Sequence, residues 1–248
     1  MSTKAKILST LLFMALVLCL ALLTFFGNKE KPKVTIASVS IQGYYLLPEA
    51  EYLKFARLDN PASLAAIDLP ILKDRIEKHP YIKKAEIELS DEKNVKVYIE
   101  ERKIKAMLQK NDEAYLITDK YEILPVFAYA NISEMPLIIN SKDMKNLKVR
   151  DKYYSDDIRE AFKIMDGFKY IDNDLFKSLT QIDLNNGSDI LLNFNCFNSS
   201  VIFGKGEDAR KIVYLESLYK NYNNQLADSL NYIDLRYSKL IFMGKSNG

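Results

Sequence analysis

Between Ile7 and Phe26 the chain runs about 20 residues, ILSTLLFMALVLCLALLTFF, without a charged side chain. As a helix rising ~1.5 Å per residue this run spans roughly 30 Å, the thickness of a bilayer's hydrocarbon core. Lys4 and Lys6 precede it, and Lys29, Glu30, Lys31 and Lys33 follow. A cleaved leader has a shorter apolar stretch ending in small residues, whereas Thr24, Phe25 and Phe26 stand here. The expectation is a retained single transmembrane helix over 7–26, with residues 1–6 as a short cytoplasmic tail. Lysines flank both ends, so the positive-inside bias is weak. With the N-terminus in the cytoplasm, the chain from Gly27 onward lies outside it.

What remains of the 248 residues suffices for one large or two small domains. Its 35 basic and 33 acidic residues nearly cancel, which argues against nucleic acid as a partner. One histidine, His79, and two distant cysteines, Cys19 and Cys196, exclude a zinc site of the usual kind and make an internal disulfide unexpected. Gly204-Lys205-Gly206 lacks the rest of a phosphate loop and reads as a turn leading into a helix. Glu100 and Glu101 are adjacent in a strand, so they point to opposite faces and cannot share a substrate. The 16 tyrosines look scattered, with no platform for bases or sugars. No cofactor, metal or catalytic set is expected.

The polar linker Asn28–Lys33 leads to an extended stretch with Val34, Ile36, Val39 and Ile41, closed by Gln42-Gly43. A short helix follows Pro48, and Asp59-Asn60-Pro61 marks a turn. Asp68 reads as the N-cap of a second helix, with Pro70 in its first turn and Leu69, Leu72 and Ile76 on one face. Proline pushes the residue before it out of the helical region, so His79-Pro80 ends this helix at Lys78 or His79. From Tyr81 the period becomes two. Ala85, Ile87 and Leu89, then Val95, Val97 and Ile99, form the buried faces of a hairpin. His79 is therefore a junction residue rather than a catalytic base, since no nucleophile or second histidine accompanies it.

After Arg102 short strands continue at 106–108, 114–118, 123–127 and 137–139. Ser155 caps a helix burying Ile158, Ala161, Phe162, Met165 and Phe168. Asn185-Asn186-Gly187-Ser188 turns a hairpin, Val201–Phe203 is a strand, and a helix runs from about Asp208 to Tyr222. Tyr232–Tyr237 and Leu240–Met243 complete the pattern; Asp234 and Arg236 alternate on one face and read as a structural ion pair with neighbouring strands rather than as catalytic groups. The fold class is α+β: a membrane helix, a strand-helix-helix-strand-strand domain over 34–102, a β-rich domain with two helices over 103–243, and a tail at 244–248.

An anchored strand-helix-helix-hairpin unit resembles a POTRA domain. The blocks HPYIKKA (79–85) with VKVYIEER (95–102), AYLITD (114–119) with Leu124-Pro125, and YIDLRY (232–237) occur in the order seen in the FtsQ/DivIB family of bacterial cell-division proteins. The chain departs from the family in lacking the glycine turn after Asp119 and the proline after Arg102. The resemblance implies a scaffold without catalytic activity, at the division septum of the plasma (inner) membrane. Its POTRA domain would recruit other divisome proteins, and its last strands would bind the C-terminal segment of FtsB, the partner of FtsL. The positions so implied are Tyr237, Ser238, Lys239, Leu240 and Ile241. Residue chemistry alone favours Leu240–Met243 as an ordinary strand closing the sheet; the resemblance turns it into a docking edge. The alternatives are a POTRA protein of outer-membrane assembly or secretion, which wants repeated POTRA units, and an anchored hydrolase, which wants a nucleophile and base.

Overall fold

The computed structural model describes residues 11–22, 36–64, 67–91, 93–142, 144, 147–221, 230–237 and 240–245. Residues 11–22 form helix α1, with its apolar side chains exposed. The two ends of the expected membrane span lie outside the described residues. Among the described residues no helix is long and apolar enough to cross a membrane. Beyond α1 the architecture is mixed α+β around two sheets, one of three strands and one of nine.

The first domain holds β1 (Ser38–Gln42), α2 (Glu49–Phe55), a single turn α3 (Pro61–Leu64), α4 (Leu69–Glu77), β2 (Ile82–Leu89) and β3 (Asn94–Glu101). β3 is central: β1 pairs with it in parallel and β2 antiparallel. The expected order is thus present, with α3 added at the Asn60 turn, where the Asn60 side chain accepts from the Ala62 N–H at 2.9 Å. Gly43 leaves β1 at φ +85°, and a Cβ there would stand 2.5 Å from the Ile99 carbonyl oxygen, so only glycine fits. Asp68 occupies the N-cap position of α4 in extended conformation, but its side chain makes no capping bond; Pro70 in the first turn sets the start instead. α4 stops at Lys78, as the following His79-Pro80 requires. Leu89, expected on the buried face, is 45% exposed.

The second domain adds β4 (Ile104–Lys110), β5 (Glu113–Thr118), β6 (Ile123–Pro125), β7 (Leu137–Ile139), α5 (Asp156–Ile171), α6 (Asn173–Ser178), β8 (Leu179–Asp183), β9 (Leu191–Phe194), β10 (Ser200–Ile202), α7 (Asp208–Asn221), β11 (Leu230–Asp234) and β12 (Phe242–Lys245). The sheet order is β12-β11-β10-β9-β8-β7-β4-β5-β6. α5 starts where expected, with the Ser155 hydroxyl accepting from the Ile158 N–H at 3.2 Å. Its apolar face joins Ile212 and Leu215 of α7 over a core with Leu108, Ile138, Ile182, Leu192 and Ile233. Among the described residues the domain has three α-helices where two were expected. α6 is too short to show a period, and its start is fixed by Asp172, whose carboxylate accepts from the N–H groups of Asp174 and Leu175, both at 3.0 Å. The last strand is Phe242–Lys245, two residues beyond the expected Leu240–Met243.

The two domains share apolar surface. Leu116 and Leu124 of the large sheet belong to the same buried cluster as Leu72, Ile76, Tyr81 and Val97, with Phe127 and Ile132 packed against it.

Candidate partner-docking edge

A nine-stranded open sheet has two edges, and each exposes unpaired backbone groups unless something covers it. The β6 edge is covered. Arg150 N–H donates to the Ile123 carbonyl at 2.7 Å, Ile123 N–H donates to Asp151 at 2.9 Å, and Glu122 bridges Lys152. Where that segment stops, the first domain takes over. The Tyr81 hydroxyl donates to the Pro125 carbonyl at 2.9 Å and accepts from the Phe127 N–H at 3.1 Å. Arg102 reinforces the joint, donating to the Pro80 carbonyl at 3.0 Å and to Glu122 at 2.6 Å.

The opposite edge is β12. It pairs antiparallel with β11 (Ile233 opposite Met243, Asp234 opposite Phe242, Tyr232 opposite Gly244), with a register shift between Leu230 and Tyr232. No described strand lies on its outer side. Large apolar side chains crowd it: Leu240 is 59% exposed, Met243 49% and Phe242 45%. Tyr237 is 52% exposed and meets the Phe242 ring edge-on at 4.8 Å. Ile241 instead turns toward the core. Ser238 and Lys239 lie outside the described residues. Of the expected positions, Tyr237 and Leu240 are thus exposed beside β12 and Ile241 is partly buried, while the strand itself runs through Phe242 and Met243.

Beneath this edge the backbone is held by charge. Asp234 is buried, and Arg236 grips it with Nε at 3.0 Å and Nη2 at 2.7 Å while Nη1 reaches Asp189 at 2.9 Å. The hydrogen bonds from Arg236 hold the Asp234 carboxyl below the usual carboxylate range. The pairing is structural, as expected, but Arg236 takes Asp234 of its own segment and Asp189 in the loop before β9 rather than a neighbouring strand. Gly244 sits under the Tyr232 ring, where a Cβ would approach to 2.3 Å.

Elsewhere the structure resolves the other sequence candidates. His79 is sealed from solvent, 2% exposed, with Nδ1 accepting from the Tyr81 N–H at 3.1 Å. Glu101 points inward, accepting from the backbone N–H groups of Tyr45 and Leu46 and from the Tyr52 hydroxyl, while Glu100 points outward to Lys83. A carboxylate that organises the β1–α2 loop leaves no local signature in sequence. The tyrosines are less scattered than they look: Tyr44, Tyr45 and Tyr129 share the wall of one shallow concavity of about 400 Å³. Cys19 and Cys196 are both free. Among the described residues no group of three or more His, Cys, Asp or Glu side chains is placed to hold a metal.

Comparison with known families gives one match: the POTRA domain, FtsQ-type, over residues 34–102. The chain carries a POTRA domain of the FtsQ type. This accords with the resemblance to the FtsQ/DivIB family read from HPYIKKA and VKVYIEER, both of which lie inside the matched span. No curated protein matches the chain. A POTRA domain of this type points to protein–protein contact in cell division. Its Tyr81 also reaches one edge of the neighbouring sheet.

Proposed function

We propose that the chain is a non-enzymatic, bitopic scaffold of the bacterial divisome. Residues 7–26 anchor it in the plasma (inner) membrane at the septum, residues 1–6 remain cytoplasmic, and both domains work outside. The POTRA domain recruits other division proteins. The β12 edge receives the C-terminal segment of an FtsB-like protein, itself paired with an FtsL-like one. The observation that carries this reading is the open, apolar β12 edge on a chain whose first domain is of the FtsQ type. An extended segment laid along β12 gains main-chain hydrogen bonds, and Tyr237, Leu240, Phe242 and Met243 offer it apolar contacts. Lys239 and Ser238 flank that edge in sequence. An exposed tyrosine beside an apolar edge supplies large contact area and a hydroxyl for one polar bond.

The test is calorimetric titration of the chain with the C-terminal segment of the same organism's FtsB-like protein. Saturable binding is expected. Tyr237→Lys and Met243→Lys should each weaken it at least tenfold while far-ultraviolet circular dichroism stays unchanged. Binding that both variants leave intact would remove β12 as the docking edge, and no binding at high micromolar concentration would remove the partner.

A further inference from the structure

The single histidine of the chain stands at the joint between the two domains. Its ring is boxed by four others: Tyr52 and Phe55 of α2 at 4.7 and 4.5 Å, Tyr81 before β2 at 5.3 Å, and Phe127 after β6 at 5.0 Å. Three walls belong to the POTRA domain and the fourth to the second domain. Phe127 also meets Tyr81 edge-on at 5.2 Å and Phe55 at 6.3 Å, and its N–H donates to the Tyr81 hydroxyl. The box is therefore the apolar half of the domain joint, and the two Tyr81 hydroxyl bonds are its polar half.

Burial and the nearby Arg150 cation favour the neutral form of the ring, and the nearby carboxylates are each engaged by other donors. Nδ1 accepts the Tyr81 N–H, so a proton on Nδ1 would set donor against donor. Arg150, from the segment that covers β6, donates to the carbonyl of Lys78, one residue before His79. The Tyr52 and Tyr81 hydroxyls are both pushed above the ordinary phenol range by burial and stay neutral. The Glu101 carboxylate is engaged by Tyr52 and by the β1–α2 loop N–H groups. Lys78 pairs with Asp74, and Glu77 accepts from the Ala85 N–H. Phe55 and Phe127 carry no charge. Burial, with the Arg150 charge adding to it, pushes the imidazole down to about 4.

We propose that His79 is a proton-operated latch on the joint: neutral, it lets the aromatic box close and holds POTRA and second domain together; protonated, it forces the box open on its Phe127 side. That side yields because Tyr52, Phe55 and Tyr81 belong to the same domain as His79 and move with it, whereas Phe127, partly buried, comes from the connection between β6 and β7. Opening there also carries away Asn131, whose N–H donates to the Leu46 carbonyl at 2.8 Å. The relative placement of the POTRA face and the distant β12 edge is then set by pH. The latch stands independently of the partner proposed for β12.

Because His79 is the only histidine, its ring signal in a ¹H–¹³C spectrum of the full chain in mild detergent is unambiguous. The expected result is a titration midpoint about two units or more below 6.5. The protection factors of the Phe127 and Asn131 amides, exchange corrected for its intrinsic pH dependence, should fall at least tenfold as pH drops through that midpoint, while those of β8 and β9 hold. Phe127→Ala, which removes only the second-domain wall, should raise the midpoint by a unit or more. A wild-type midpoint near 6.5 would overturn the latch. So would protonation that leaves the Phe127 protection factor unchanged, or a folded Phe127→Ala chain with an unmoved midpoint. The wild-type titration and exchange decide the matter even if that variant fails to fold.

Discussion

The hydroxyl of Tyr81 is one atom joining two domains, and Tyr81→Phe removes it while keeping the fully buried ring. Two backbone groups at the covered edge lose their partner: the Pro125 carbonyl, 2.9 Å away, and the Phe127 N–H, 3.1 Å away. Orphaning a buried backbone group costs about 1–3 kcal/mol, and water can reach part of this site once the joint loosens. The sum expected is about 2–4 kcal/mol, well above the ±0.5 kcal/mol typical of a neutral substitution. Urea unfolding followed by tyrosine fluorescence and by circular dichroism measures it. The loss should appear as a lower midpoint, with the β6–β7 segment becoming the first site cut in limited proteolysis. A change below 0.5 kcal/mol, or early cutting elsewhere with β6–β7 intact, would refute the claim that this hydroxyl seals the edge.

Two further substitutions probe the open edge. Gly244→Ala would drive a Cβ into the Tyr232 ring, which must swing outward; faster exchange across β12 amides is expected, with a loss of global stability below about 1 kcal/mol because Tyr232 is already 42% exposed. Hydrogen-exchange mass spectrometry of β11 and β12 checks this. Arg236→Met strips the buried Asp234 carboxylate of its partner. In the native chain the Asp234 pKa is depressed in the folded state, so the stability it contributes is full above the ordinary carboxylate range and is lost as pH falls through the depressed value. The variant should be less stable at pH 7 and should lose less on acidification than wild type, as parallel urea titrations at pH 7 and pH 3 would show.

How much of this was legible in the sequence follows the range of the interactions. The hairpin of β2 and β3, the Ser155 cap and the Asn185–Ser188 turn depend on residues a few positions apart, and each stands close to where its spacing puts it. Contacts across tens of residues left no such trace. Glu101 reaches Tyr45 and Leu46 across 56 and 55 positions, and Tyr81 reaches Pro125 across 44. For His79, spacing revealed the junction but not the box, because Phe127 comes from the other domain. The β12 edge was half legible. Its apolar run is plain, but whether such a run closes a core or borders solvent depends on strand order, which no local pattern encodes.

That order is what gives the two edges their different chemistry. Natural sheets guard an edge with proline, charge or cover. The β6 edge has Pro125, the 150–152 segment and a tyrosine from the neighbouring domain. The β12 edge has Phe242-Met243-Gly244 without proline, and only Lys245 as a charge within the strand. Among the described residues nothing covers this stretch, and an uncovered edge of that composition is prone to pair with an extended chain. Under the docking proposed above, the clamp of Arg236 on Asp234 and Asp189 would add preorganisation to stability, since it holds the segment that follows β11. Loosening the clamp should therefore weaken docking in proportion to β12 mobility even where no contact residue has changed, and Arg236→Met compared with Tyr237→Lys in the same titration separates preorganisation from direct contact.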